Sequence, residues 1–193
     1  MTADVSSLEY APDPVEAMRP IPRRLPELRT ARLLLRAMRR DDDEALFSIY
    51  GDLEVMAYVS DSTFPDVATV HLMLDSVERL LAAGTSLEWA VVDAKTNQLA
   101  GTCGLHAFDR QSESADVGCV LARDHWGRGV MREALTELTR FATEALGLRG
   151  LLAEIDAPNE RSVRLFRSLG FVRESATTYR KSLRSGAGAD EMG

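Results

Sequence analysis

The chain has 193 residues, 45% of them hydrophobic, with a formal net charge of -7. That length and apolar content suit one domain with a real core and are short for two. The acidic balance argues against an electrostatic nucleic-acid footprint, and no apolar run is long enough to cross a bilayer.

The start "MTADVSSLEY" carries neither the basic flank nor the apolar stretch of a secretion signal, so a soluble, cytoplasmic protein is expected. Five of the seven prolines (Pro12, Pro14, Pro20, Pro22 and Pro26) fall in the first 26 residues, which read as an extended arm over 1–26. The domain is expected over 27–175. "TARLLLRAM" reads as a first strand and "DDDEALFSIYG" as a helix whose start is charged by three aspartates, where the backbone dipole favours negative charge. Clustered aspartates are also metal ligands, but ahead of an apolar-periodic segment capping is the stronger reading, and no metal is expected. Val70, Met73, Leu74, Val77, Leu80 and Leu81 follow helical spacing, with Gly84 as the stop.

"LEWAVVDAKTNQLAGTCGL" gives two strands around the turn "KTNQ", and "SADVGCVL" a third, an antiparallel meander. Cys103 and Cys119 lie in these apolar runs without metal or redox spacing and read as small buried hydrophobes. "LRGLLAEID" then reads as a strand, "NERSVRLFRSLG" as a short helix and "FVRESATTY" as a further strand, with a polar tail over 176–193. The sum is a mixed α+β fold with helices on both faces of a sheet.

Between the meander and the next strand, "ARDHWGRGVMREALTELTRFATEALG" runs through two glycines straight into a long helix. Val130, Met131, Ala134, Leu135, Leu138, Phe141, Ala142 and Ala145 mark its buried face. Its start is unusual. Trp126, Gly127, Arg128 and Gly129 offer no Ser, Thr, Asn or Asp at the join, so the first N–H groups need another acceptor. Gly127 and Gly129 permit close approach and unusual backbone angles, and Arg123, Arg128 and Arg132 add positive charge, so a phosphate fits; a glycine turn capped by water or by Asp124 is the competing reading. The pattern is neither a P-loop nor Gly-x-Gly-x-x-Gly.

"DVGCVLARDHWGRGVMREAL" followed by "NERSVRLFRSLGF" resembles the acyl-coenzyme A binding core of the GNAT superfamily of N-acetyltransferases, in the branch that acetylates ribosomal-protein N-termini. "LRTARLLLRAMRRDDDEALFSIYGDLEVMAYV" and "QLAGTCGL" match that branch in type and order, so the similarity covers roughly residues 28 to 174. It implies a mixed, mostly antiparallel sheet with helices on both faces, acetyl-CoA as acyl-donor substrate, and a primary amine as acceptor, either a protein N-terminus or a small amine.

By this resemblance, main-chain groups of Cys119, Val120 and Leu121 would bond the pantetheine and acetyl carbonyl, with Gly118 easing a bulge. The amides of Trp126, Gly127, Arg128, Gly129, Val130 and Met131 would hold the pyrophosphate. Asp124 stands where the family often has Gln or Arg, which weakens a side-chain contact but leaves the backbone cradle. Asn159 would contact the pantetheine arm, or cap the helix at Glu160, or do both. The family's proton-donating tyrosine falls at Phe166, which has no proton to give; Ser162, one turn earlier, matches the serine that the ribosomal-protein branch is thought to use. Asp116 is the expected base, shortened from the branch's Glu, and His106 the second choice, while His71 and His125 read as surface or packing residues. The segment Val59 to Pro65 with the following helix would line the acceptor entrance.

Phe166 and the shortened Asp116 equally suit a catalytically weak or inactive acyl-CoA-binding module. Transfer of succinyl or another acyl group is a third reading, because the cradle grips the coenzyme rather than the acyl tail. After Phe171 the branch has another apolar strand that "RKSLRSGAGADEMG" does not offer. Either the sheet is one strand short, or a second copy in a homodimer supplies the edge, or "SATTYRKSL" fills it imperfectly.

Overall fold

The computed structural model describes residues 18–59 and 62–183. The alternating and continuous apolar runs become one eight-stranded sheet, with β1 (Leu28–Arg29), β2 (Leu33–Arg36), β3 (Ser86–Asp93), β4 (Leu99–Asp109), β5 (Ser114–Leu121), β6 (Gly150–Glu154), β7 (Val172–Arg173) and β8 (Thr178–Ser182) in the order β1-β2-β3-β4-β5-β6-β8-β7. β5 and β6 form the sheet's parallel pair, and the other neighbours are antiparallel. The meander β3–β4–β5 forms as the sequence predicts. Its first turn is closed by Asp93, whose carboxylate accepts the amides of Lys95 and Thr96, with Asn97 at φ 59°.

The helices are α1 (Asp43–Tyr50), α2 (Leu53–Met56), α3 (Val67–Ala83), α4 (Val130–Glu144) and α5 (Glu160–Ser168). The larger core lies on the α4 side, where Trp89 and Phe141 meet edge to face at 5.6 Å between ring centres. On the opposite face Leu46, Ile49, Val70 and Leu74 of α1 and α3 cover Ala90 and Val92 of β3. Gly84 ends α3 in the left-handed conformation, its N–H reaching Leu80 and Leu81. Two positions expected on buried faces are exposed instead: Leu80 lies beyond the apolar stripe at the end of α3, and past the last turn of α4 it is Leu146 rather than Ala145 that turns inward.

The three aspartates do not converge on one point. Asp42 accepts both guanidinium nitrogens of buried Arg36, at 2.7 and 2.8 Å, and the Arg39 amide at 2.8 Å. Asp43 accepts the Glu44 amide and pairs with His71 at 3.0 Å, which gives that histidine a partner on α1.

Both expected boundaries move. Residues 18–26 are tied to the core: Met18 is 6% exposed, and the Pro26 carbonyl accepts the Trp89 indole N–H at 2.8 Å. The remainder of the arm lies outside the described residues. At the other end the expected strand over "FVRESATTY" is a hairpin, and β8 occupies what reads as polar tail, pairing with β6 from Thr178↔Glu154 to Ser182↔Gly150 and burying Tyr179 and Leu183. "SATTYRKSL" therefore fills the missing strand. A chain ending at Ala176 is expected to lose cooperative thermal unfolding, as followed by circular dichroism, because β6 would expose its hydrogen-bonding edge to water.

Candidate active site

The site is built where two strands part. β5 runs in unbroken register with β4, from Leu121↔Gly101 to Asp116↔His106, so Gly118 does not form a bulge in that ladder. The parting occurs on its other edge, where β5 pairs with β6 only at Ser114↔Gly150, Ala115↔Leu151 and Asp116↔Leu152. Beyond Asp116, five residues of β5 have no strand on that side.

Alternation decides which main-chain groups face the opening. Ala122 donates to Ala100, and the Val120 carbonyl lies against Gly101, so residues of this parity turn toward β4. Cys119 and Leu121 turn toward the opening. The Leu121 carbonyl already accepts the Trp126 indole N–H at 2.9 Å. Of the three expected main-chain partners, Cys119 turns N–H and carbonyl toward the opening and Leu121 its N–H, while Val120 lines the cavity with its main chain turned toward β4.

The glycine loop forms the second wall. Gly127 and Gly129 both have φ 72°, a conformation costly for residues with a Cβ, and a Cβ on Gly127 would meet nothing within 4 Å. No side chain caps α4, so Asp124 does not serve as its cap. The Glu133 amide is the first to bond back, to the Gly129 carbonyl, leaving the N–H groups of Val130, Met131 and Arg132 unsatisfied within the helix. Trp126, Gly127, Gly129, Val130 and Met131 line the cavity, whereas Arg128 does not; its carbonyl faces Arg32. Arg123 is committed to Glu54 at 2.5 Å and Asp52 at 3.7 Å on the α2 side rather than to the loop.

The start of α5 is the third wall. The Asn159 carboxamide caps the helix by accepting the Ser162 amide at 3.2 Å, and both residues also line the cavity. Phe166 points away, buried and edge to face with Phe171 at 5.0 Å. Arg161 stacks over the Trp126 ring, 3.4 Å from its centre, and joins the second and third walls. No local spacing along the chain signals that pair. Glu54 and Val55 of α2, an element that the periodicity does not resolve, and Tyr58 and Val59 just after it line the cavity, so of the expected segment Val59–Pro65 only Val59 is among its lining residues; residues 60 and 61 lie outside the described residues. His125, read as surface, lines the cavity too.

The cleft, open to solvent on one side, has a volume of about 540 Å³, ample for a cofactor-sized arm. Burial pushes the Cys119 thiol up to about 12 and Cys103 well above its ordinary value, so neither is a thiolate near neutral pH.

Asp116 and His106 do not line this cavity. They are cross-strand partners on the sheet face that carries α1 and α3, with His106 exposed there. Burial raises the Asp116 carboxyl and Glu154 adds to this, while His106 opposes it. Glu88, which the sequence reading did not single out, stands on that same face of β3.

The family model described as an acetyltransferase (GNAT) domain matches residues 32–172. An uncharacterized N-acetyltransferase p20 of Bacillus licheniformis is 31% identical over 147 residues, covering 76% of this chain and 83% of that one. The spermidine N(1)-acetyltransferase of Vibrio cholerae is 23% identical over 148 residues, covering 75% and 81%. Among solved structures, RimL, a ribosomal L7/L12 alpha-N-protein acetyltransferase in complex with coenzyme A, superposes with a TM-score of 0.72 at 15% identity, over 82% of this chain and 98% of that one. With the parted strands, the uncapped helix and a family match over most of its length, the chain belongs to the GNAT family of acetyltransferases.

Proposed function

We propose that this acetyltransferase passes the acetyl group of acetyl-CoA directly to a primary amine in a ternary complex. The observation that carries the reading is the parting of β5 from β6 after Asp116, which turns the Cys119 and Leu121 main chains, the α4 amides, Asn159 and Ser162 toward one cavity. The pantetheine arm fits along that free edge as an extra strand, and the pyrophosphate at the start of α4, where amides and dipole favour negative charge.

The neutral amine attacks the acetyl carbonyl carbon, and the new C–N bond forms as the oxygen gains charge. A strand amide stabilises that oxyanion. The C–S bond then breaks, and the Ser162 hydroxyl donates its proton to the departing thiolate. The amine's own proton leaves toward the sheet face that carries Asp116 and His106. Both cysteines remain protonated, which argues against a covalent acetyl-enzyme. The acceptor is a protein N-terminus or a small amine such as a polyamine, the two classes named for the relatives.

Mass spectrometry of products from acetyl-CoA with mixed peptides and small amines tests this reading. Tight coenzyme binding with no acetylated amine would favour a binding module, which Phe166 in the core supports. Gly127→Ala is expected to raise the KM for acetyl-CoA by ~10- to 100-fold, the worth of one amide bond to a charged phosphate. Its folding cost is only about 1–2 kcal/mol, from a Cβ at positive φ. Steady-state kinetics beside a thermal melt separate the two effects.

A further inference from the structure

Glu88 lies in β3, partly buried, on the sheet face opposite the one into which its neighbours Leu87 and Trp89 are fully buried. A carboxylate in a central strand is costly unless something pairs with it or uses it. Its hydrogen-bond partner is a neutral group, the Ser86 hydroxyl at 2.8 Å.

The neighbouring strands make room for it. Glu88 is in register with Gly104 of β4, which is in register with Gly118 of β5. A Cβ on Gly104 would overlap the Glu88 carboxylate, so the side chain lies across the space that this glycine leaves. The row Glu88–Gly104–Gly118 is therefore a lane free of side chains, leading from the carboxylate to the strand whose far edge borders the coenzyme cavity. His106 flanks it on one side, its Cε1 3.5 Å from where a Gly118 Cβ would stand, with Asp116 opposite it in register. Thr102, hydrogen-bonded to the Tyr50 hydroxyl at 2.7 Å, and Val120 flank it on the other. The titratable groups around it are thus His106 and Cys103 of β4, Asp116 of β5 and Tyr50 of α1, while α3 covers this face with Val70 and Leu74.

We propose that the Glu88 carboxylate, reached along the Gly104–Gly118 lane, takes the proton from the acceptor amine. This rests on the acetyltransfer reading. The ionised carboxylate removes one proton from the ammonium, the freed lone pair attacks the acetyl carbonyl and forms the C–N bond, the C–S pair leaves with sulfur, Ser162 supplies the thiol proton, and the second N–H proton, shed as the amide forms, restores the Ser162 hydroxyl. Burial raises the Glu88 carboxyl to about 7 against the weaker opposing effect of the Ser86 hydrogen bond, a range that suits a general base.

The test uses the full chain, an amine shown to be its acceptor, and the variants Glu88→Gln and Glu88→Asp beside Asp116→Asn. Glu88→Gln is expected to lower kcat ~10²- to 10³-fold, to keep the acetyl-CoA Kd within about threefold, and to abolish the acidic limb of the kcat/KM profile near pH 7. It should also melt no lower than the unchanged chain at pH 8, because a partly desolvated charge is gone, whereas a lost structural contact would lower the melting temperature. Glu88→Asp should retain the limb with a partial loss of rate. Wild-type kcat and an intact limb in Glu88→Gln, with the loss falling on Asp116→Asn instead, would overturn the proposal. Absence of turnover by the unchanged chain with every amine would overturn the acetyltransfer reading itself, and this assignment with it.

Discussion

Ser162→Ala is expected to lower kcat by ~10²- to 10⁴-fold, the range lost with a positioned proton donor. The affinity for acetyl-CoA should change little. Ser162 sits in the first turn of α5 and lines the cavity, and it serves the helix through its backbone N–H, which Asn159 accepts. Alanine keeps that N–H, so the cap survives and folding should shift by no more than about 0.5 kcal/mol. The loss therefore reads out chemistry, measured as single-turnover thiol release beside a calorimetric Kd for acetyl-CoA. Phe166→Tyr placed on Ser162→Ala should not restore the rate, since that ring packs into the core against Phe171 and would carry its hydroxyl away from the cavity. A Ser162→Ala enzyme with unchanged kcat would remove this residue from the proton path.

Asp42→Ala is expected to cost about 3–5 kcal/mol of stability, because it leaves the Arg36 guanidinium buried without its counter-charge. For a chain of this size that is a fall in Tm of about 6–20 °C. Converting both partners, Arg36→Met with Asp42→Ala, should recover much of the loss, since the penalty comes from the orphaned charge rather than from the missing pair. The pair also sets a pH dependence. Burial works to raise the Asp42 carboxyl, but the hydrogen bonds of Arg36 and Arg39 and the charge of Arg36 outweigh it and hold it below its ordinary value of 3.8. A depressed folded value means that this contribution is fully present above the unfolded value and is lost as pH falls through the folded one. The Tm gap between the unchanged chain and Asp42→Ala should therefore be constant near neutral pH and narrow below about pH 4. Differential scanning calorimetry across that range checks it, and a gap that persists in acid would mean packing rather than charge holds the turn.

Much of the proposed coenzyme side of the site was legible because it depends on backbone. Two glycines ahead of an apolar-periodic helix, with no capping side chain, identify an uncapped N-terminus from residue order alone, and the structure places Gly127 and Gly129 at positive φ there. Asn159 and Ser162 were legible for the same reason, since the first turn of a helix fixes their relation. The proposed acceptor side was not. Glu88, Gly104 and Gly118 lie on three strands, and only the register decides that a carboxylate on one falls over a glycine on the next. Arg161 and Trp126 meet because two separate walls close on each other, which no local spacing announces. The final strand was obscured by composition: β8, TYRKS, is polar at every position but Tyr179, and it survives on that ring, on Leu183 just after it and on its ladder with β6 rather than on a continuous apolar run.

The amino-acid sequence by itself determined the α+β class, the meander, the glycine-led helix and the family resemblance, because hydrophobic period, turn chemistry and helix ends are properties of neighbours along the chain. Only the tertiary structure decided that β5 parts from β6 after Asp116, that Val120 turns its carbonyl away from the opening, that Asp42 locks Arg36, and that Glu88 shares a lane with two glycines. Those facts depend on which strands pair, in what register and for how long, and pairing is settled by the burial of whole faces at once rather than by any short stretch of residues.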